Sequence, residues 1–299
     1  MSKSTWSIEN IPNQSNKVIV ITGASSGLGK EATKVLSGKS AIVIMAVRNT
    51  KKAEIVATEI RNEYPNAKLE IRNLDLSSLD SIKSFAEEIL TDHKKLDILI
   101  NNAGVMMCPY SKTKDGFEIQ MGTNHLGHFA LVGLLMPLLK NTKGSRIVVT
   151  SSIAHKSGNI NFEDLNWEKR KYKTTSAYGD SKIANLYFMH ELAHRQMNDS
   201  GAPTITTAHP GYTSTDLQRH SLFWRIMNPI LSQKVSRGVL PTLRAAIDPE
   251  AKSGDFFGPS GFQELKGDPI LVKSNELSHD SKKAEKLWDM SEELTGIHY

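Results

Sequence analysis

The sequence is poor in the features that mark secreted, membrane-spanning and nucleic-acid-binding proteins. A single cysteine, Cys108, stands among 299 residues, so no intramolecular disulfide can form and a reducing compartment is expected. The plain reading of that thiol is a small hydrophobe beside a pocket. No stretch approaches the ~20 apolar residues that cross a membrane, and the polar lead over residues 1–16 lacks the apolar centre of a signal peptide. Lysine and arginine exceed aspartate and glutamate by only 37 to 32. Without a dense basic run, this balance argues against nucleic acid as a partner and mildly favours an anionic cofactor. Low-complexity linkers and internal repeats are also absent. What remains is 39% hydrophobic and 23% charged, ordinary for a globular protein and long enough to bury a large core in one α/β domain. A cytoplasmic protein without a stable membrane anchor is expected.

Residues 17–22, KVIVIT, have the β-branched pattern of a strand covered on both faces. They run into Gly23-Ala24-Ser25-Ser26-Gly27-Leu28-Gly29. A glycine-rich turn from strand to helix lets backbone amides approach a pyrophosphate and aims the helix N-terminus at its charge. A lone fingerprint is weak, and glycines at 23, 27 and 29 depart from the commonest order, but the strand before and a predicted helix over 30–36 give it context. The next strand, 41–47, ends at Arg48 and Asn49, where a dinucleotide fold meets the adenosine ribose. An arginine there, with Lys51 and Lys52 behind it, suits a 2′-phosphate, so NADP is expected over NAD. The bland alternative is a helix-capping surface cluster.

The alternation continues with a helix over 53–63 and a strand over 68–74 that closes on Asp75 and Leu76. Ser77 or Ser78 can cap a helix carrying Ile82, Phe85, Ile89 and Leu90 on one face. A fourth strand, 96–100, stops at Asn101-Asn102-Ala103-Gly104. These lengths predict right-handed crossovers and a parallel sheet, with ligands outside the carboxyl ends of its strands.

Tyr178 and Lys182 open an apolar-periodic run through Ile183, Leu186, Phe188 and Leu192, and so share one helix face. Bringing a tyrosine from about pH 10 to neutrality takes roughly 4 kcal/mol. A lysine cation about 5 Å away, at an effective dielectric near 20, offers roughly 3 kcal/mol. The pair can therefore run acid–base chemistry on an alcohol or carbonyl, although the same spacing recurs on many helices as a solvated pair.

Taken together, these residues resemble the short-chain dehydrogenase/reductase superfamily. TGASSGLG at 22–29 is similar to its cofactor turn, Leu74-Asp75-Leu76 to its adenine contact, and Asn102, Ala103 and Gly104 to its fourth-strand motif. Asn124 resembles its helix asparagine, Ser152 its catalytic serine, Tyr178 and Lys182 its YxxxK pair, and Pro210-Gly211 with Thr215 the segment that closes on the nicotinamide carboxamide. The matches fall in family order across residues 17–216. A finer likeness, to the retinol-dehydrogenase-like and protochlorophyllide-reductase-like branch, rests on Ala46-Val47-Arg48-Asn49, on Asn124-His125-Leu126-Gly127-His128-Phe129, and on softer patterns near 161–165 and 287–296. Animal retinol dehydrogenases of that branch commonly carry an N-terminal anchor unlike the polar lead here, so a retinoid is not the expected substrate.

The resemblance implies one α/β domain over 1–299, a Rossmann-type doubly wound parallel sheet of order 3-2-1-4-5-6-7 flanked by helices. Residues 17–110 would be mainly dinucleotide-binding and 111–299 catalytic and substrate-binding, with an apolar lid about 215–233. It also implies roles. Tyr178 exchanges a proton with the substrate oxygen, Lys182 holds the ribose hydroxyls and lowers the tyrosine pKa, Ser152 hydrogen-bonds the substrate oxygen, and Asn124 holds a water leading from Lys182. Ser151 competes with Ser152, and Thr213 with Thr215. A homo-oligomer through the helices of Asn124 and Tyr178 is the family habit. The run 222–231, with Met106, Met107, Tyr110, Lys156 and Tyr212, suggests a lipophilic substrate.

Two readings from other classes stand beside this one. His190-Glu191-Leu192-Ala193-His194 matches H-E-x-x-H and could grip zinc. No nearby third ligand follows it, so no metal site is expected. A sensor or scaffold could keep the cofactor fold without turnover, and turnover on aldehydes, ketones or quinones separates the two.

Overall fold

β-branched runs and amphipathic segments alternate along the chain, and the computed structural model, which describes residues 5–213 and 233–299, assembles them into one eight-stranded sheet. The strands are β1 (Val18–Thr22), β2 (Ile42–Val47), β3 (Lys68–Asn73), β4 (Ile98–Asn101), β5 (Arg146–Thr150), β6 (Thr204–Ala208), β7 (Phe256–Pro259) and β8 (Pro269–Leu271). Their order is β3-β2-β1-β4-β5-β6-β7-β8. The first seven are parallel and follow the expected order. The eighth is an addition: β8 returns antiparallel to β7, pairing Phe257 with Leu271.

The period-two pattern of the central strands divides two cores. Val18, Val20, Leu99 and Val149 face one, with Phe85, Phe129, Leu186 and Trp288; Ile19, Ile21, Val43 and Ile100 face the other, with Leu36, Ala53 and Leu243. Helices α3 (Leu79–Asp92), α4 (Gly127–Lys140) and α5 (Thr174–Arg195) cover the first face, while α1 (Gly27–Gly38), α2 (Thr50–Glu63) and α6 (Leu240–Ile247) cover the second. Terminal α7 (Ser281–Thr295) packs on α5, with Trp288 stacked on Phe188 at 6.0 Å. Burying each such side chain stabilises the fold by roughly 1.5–3 kcal/mol.

Local chemistry explains the boundaries. Ser78, rather than Ser77, caps α3 by accepting from the amide of Ser81. A helical turn at Val235–Gly238 precedes α6, and Pro241 stands in the first turn of α6, where its missing N–H costs nothing. Ahead of α4, Glu118 accepts from the amides of Gln120 and Met121 at 2.9 and 2.7 Å. The stretch Gly122–Leu126 then winds as a π-helix, so that the amide of Gly127 reaches back to the carbonyl of Gly122. Among the described residues no helix is long and apolar enough to cross a membrane.

Candidate active site

The carboxyl ends of β1, β4, β5 and β6 converge on one cleft edge, and the expected residues gather there. At the end of β1, Gly23 and Gly27 take φ of +69° and +51°, angles that favour glycine. A Cβ on Gly29 would come within 2.4 Å of the Gly23 carbonyl and 2.7 Å of Asn102 Nδ2. Ser26 precedes α1 without a capping hydrogen bond from its side chain. The first-turn amides are thus left to an external anion beside a turn too tight for side chains, which suits a dinucleotide pyrophosphate. The Asn102 side chain donates to the Thr22 carbonyl at 2.8 Å, and the amides of Asn102 and Ala103 both donate to Thr22 Oγ1 at 2.9 Å. The turns after β1 and β4 are thereby one unit.

Arg48 is exposed at the end of β2, the neighbour of β1. Asn49 caps α2, accepting from the Lys52 amide at 2.9 Å, so the capping alternative holds for Asn49. The Asp75 carboxylate accepts from both the amide and the hydroxyl of Ser77, at 3.0 and 2.6 Å. A Cβ on Gly127 would lie 2.5 Å from the Leu76 carbonyl, so this glycine allows α4 to approach that turn.

Tyr178 and Lys182 lie on α5, 7% and 4% exposed, with the lysine Nζ 5.6 Å from the centroid of the tyrosine ring. The geometry separates the two serines after β5. Ser151 Oγ donates to the Lys182 carbonyl at 2.9 Å, whereas Ser152 Oγ accepts from the Ala154 amide at 3.2 Å and lies close enough to the Tyr178 phenol to act on its pKa. Burial pushes the Tyr178 phenol up to about 12 against the opposing pull of Ser152, and pushes Lys182 down to about 8. The expected lowering of the tyrosine by its lysine is therefore not a property of the protein alone, because desolvation of a buried phenolate outweighs it.

The Asn124 side chain is fully engaged. Its Oδ1 accepts from the Val105 amide at 2.8 Å, and its Nδ2 donates to the Val105 carbonyl and to Ser181 Oγ, both at 2.9 Å. A water leading from Lys182 would have to use the main-chain carbonyl of Asn124, which lies in the widened turn. His128, a residue whose role the sequence did not announce, donates from Nδ1 to that carbonyl at 3.0 Å, and its Nε2 accepts from the Thr22 hydroxyl at 3.0 Å. The ring is thus the neutral Nδ1–H tautomer, and burial holds its pKa down at about 4. In the sequence it stands out only as a member of the stretch 124–129, four residues from Asn124.

At the end of β6, Gly211 has φ of +64° and Thr213 Oγ1 donates to the Pro210 carbonyl at 2.8 Å. Thr215 and the apolar run 222–231 lie outside the described residues. Among the suggested wall residues, Tyr110 is held by the Asn166 carbonyl at 3.2 Å, and Lys156 pairs with Glu264 at 2.9 Å. The His190–His194 motif is not arranged as a metal centre. His190 packs against His279, Glu191 is bound by Arg195 at 2.7 Å, and His194 is exposed. Among the described residues no three His, Cys, Asp or Glu side chains are grouped to hold an ion.

With this fold and this cluster, the chain belongs to the short chain dehydrogenase family, whose model matches residues 17–225. It is accordingly an oxidoreductase of the class that uses a nicotinamide cofactor on CH–OH and C=O groups. Retinol dehydrogenase 12 of Mus musculus is 44% identical over 289 residues, covering 95% of this chain and 87% of that protein. Retinol dehydrogenase 13 of the same species is 38% identical over 296 residues, covering 94% and 84%. A solved structure of an uncharacterized protein from Mycobacterium paratuberculosis is 39% identical, with a TM-score of 0.83 and 99% of each chain covered.

Proposed function

We propose that the protein transfers hydride between NADP(H) and a lipophilic carbonyl or alcohol, with Tyr178 as general acid and base. The observation that carries this reading is the division of the serines: Ser151 is tied to the Lys182 carbonyl, while Ser152 stands beside the Tyr178 phenol and opposes the rise of its pKa. When bound, the nicotinamide gives or takes the hydride. Residues 23–29 and Asn102 to Gly104 would hold the pyrophosphate side, with Asp75 and Leu76 beside the adenine, Arg48 at the 2′-phosphate, and Pro210, Gly211 and Thr213 at the carboxamide. In reduction, Tyr178 donates its proton to the substrate oxygen, oriented by the Ser152 hydroxyl. Lys182 would hold the ribose hydroxyls, and its charge, together with that of an oxidised ring, would favour the phenolate on the return path.

The names of the relatives put retinal in the substrate panel. The expectation against a retinoid rested on the polar lead, not on any wall residue. A homo-oligomer through α4 and α5 and a cytoplasmic site of action belong to the same proposal. The test is oxidation of NADPH and NADH with retinal, aldehydes, ketones and quinones, repeated with Tyr178→Phe. Turnover that this variant loses while still binding NADPH supports the enzyme reading, and NADPH binding without any turnover in the natural protein favours a sensor.

A further inference from the structure

A carboxylate from outside the expected cluster joins two loops of the site. Glu264 lies in the connection between β7 and β8. Its Oε2 accepts from His209 Nε2 at 2.8 Å, and its Oε1 accepts from Lys156 Nζ at 2.9 Å. Lys156 stands on the helical turn Ile153–Ser157 that Ser152 caps, and His209 immediately precedes Pro210. The His209 ring is fully buried, and the Gly211 amide donates to its Nδ1 at 3.2 Å. That second contact fixes a neutral ring whose single proton points from Nε2 to the carboxylate. A parallel backbone link, Tyr212 N–H to the Leu265 carbonyl at 2.7 Å, ties the same two segments.

The chain accepts several irregularities around this bridge. Gln263 and Glu264 have φ of +50° and +58°, a region costly for residues with side chains. A Cβ on Gly258 would fall 2.2 Å from His209 Nε2, and one on Gly211 would fall 2.4 Å from the Leu265 carbonyl. An incidental surface ion pair has small energetic value and needs no such accommodation. Here two strained residues and two side-chain-free positions converge on one carboxylate, which hydrogen bonds from His209 and Lys156 hold ionised down to about pH 2.

We infer that Glu264 is a positioning residue, holding the Ser152 loop and the Pro210–Gly211 turn at a fixed separation across the reacting carbonyl. This rests on the oxidoreductase reading above. Hydride transfer needs the serine-bound oxygen and the nicotinamide face aligned closely, and a misplacement of about 1 Å costs on the order of a hundredfold in rate. The bridge therefore acts on the chemical step more than on cofactor affinity.

Lys156→Met and Glu264→Gln cut the same link, because the glutamine carbonyl still accepts from His209 while its amide repels the lysine. Lys156 is half-exposed, so its replacement leaves the fold intact if the second variant proves unstable. Single-turnover hydride transfer, NADPH affinity by fluorescence and thermal midpoint are measured for both variants and the double variant. The expected result is a rate about ten- to hundredfold lower in each, with NADPH affinity changed by less than about threefold and the double variant no slower than Glu264→Gln alone. Unchanged rates, losses that multiply in the double variant, or losses that only track a lower thermal midpoint overturn the bridge. If the natural protein turns over and the variants match it, the bridge alone fails. If the natural protein binds neither NADPH nor NADH, the oxidoreductase reading fails, and the bridge with it.

Discussion

His128 donates from Nδ1 to the main-chain carbonyl of Asn124 at 3.0 Å, across the one stretch where the helix leading into α4 widens into a π-turn. In a regular helix that carbonyl would serve the amide four residues on. Here the side chain of the fourth residue reaches it, and its other nitrogen accepts from Thr22 beside the glycine turn. Replacing His128 with leucine leaves a buried hydroxyl and a buried carbonyl short of a partner. A loss of about 2–4 kcal/mol is expected in urea unfolding, and a loss below about 1 kcal/mol would show that water reaches the site.

Ser152→Ala and Ser151→Ala should separate chemistry from packing. The first is expected to lower kcat by about a hundredfold or more while NADPH still binds. The second removes a hydrogen bond from Ser151 to the Lys182 carbonyl, which costs about 1 kcal/mol of stability and leaves kcat within a few-fold. Equal losses of kcat in the two variants would remove Ser152 from its special role.

The pH profile follows from the Tyr178 phenol, held at about 12 before cofactor binds. Carbonyl reduction needs the protonated phenol, so kcat/KM for reduction should be level from about pH 6 to 9. Alcohol oxidation needs the phenolate and should rise with pH over the same range. A reductive rate that falls tenfold per unit above neutrality would place the phenol far lower.

Arg48→Asp is expected to move preference from NADPH toward NADH, because the exposed guanidinium at the end of β2 is exchanged for a carboxylate that accepts from ribose hydroxyls and repels a phosphate. The ratio of kcat/KM for the two cofactors is the measurement. An unchanged ratio detaches Arg48 from the site.

Buried histidines predict the acid limit of the fold. Burial lowers His128 and His155 to about 4 and His125 to about 3, against about 6.5 in an unfolded chain. Below about pH 6.5 the unfolded chain takes up protons that the folded chain refuses, so stability is full above that pH and is lost toward pH 4. Each ring opposes folding by about 2 kcal/mol at pH 5. Asp180, raised to about 6, and Glu118, also raised by burial, bind protons first in the folded state and offset part of this. A urea midpoint that falls steadily from pH 7 to 5 is expected, and a level one would mean that the rings reach solvent.

The parts of the molecule legible in the sequence are those whose physics is local. The β-branched run entering Gly23, the glycines at 27 and 29, and the pair Tyr178 and Lys182 each carry their own spacing. A serine cap at 77 or 78 follows in the same way, whereas the order of seven strands is what the family resemblance implies. Other features depend on approach in space. Glu264 lies 108 residues from Lys156 and 55 from His209, and no periodicity links them. The left-handed backbone at Gln263 and Glu264 occurs where neither residue type advertises it. The sign of the Tyr178 shift in the protein alone is hidden for a related reason, since the lysine neighbour is visible in the sequence but the depth of burial is not. The choice between Ser151 and Ser152 likewise needed the direction of each hydroxyl.

The reversal of β8 gives the last hairpin an unusual standing among the connections of the sheet. Because β7 runs parallel to its neighbours and β8 turns back, their connection, with Glu264 in it, emerges at the same edge as the turns that follow β1, β4, β5 and β6. The periphery of a sheet is ordinarily where length and composition drift at small cost. In this chain a change of length in the 260–268 hairpin would shift His209 and Lys156 together. Grafting that hairpin between relatives is therefore expected to change the rate of hydride transfer while leaving Asn124, Ser152, Tyr178 and Lys182 untouched.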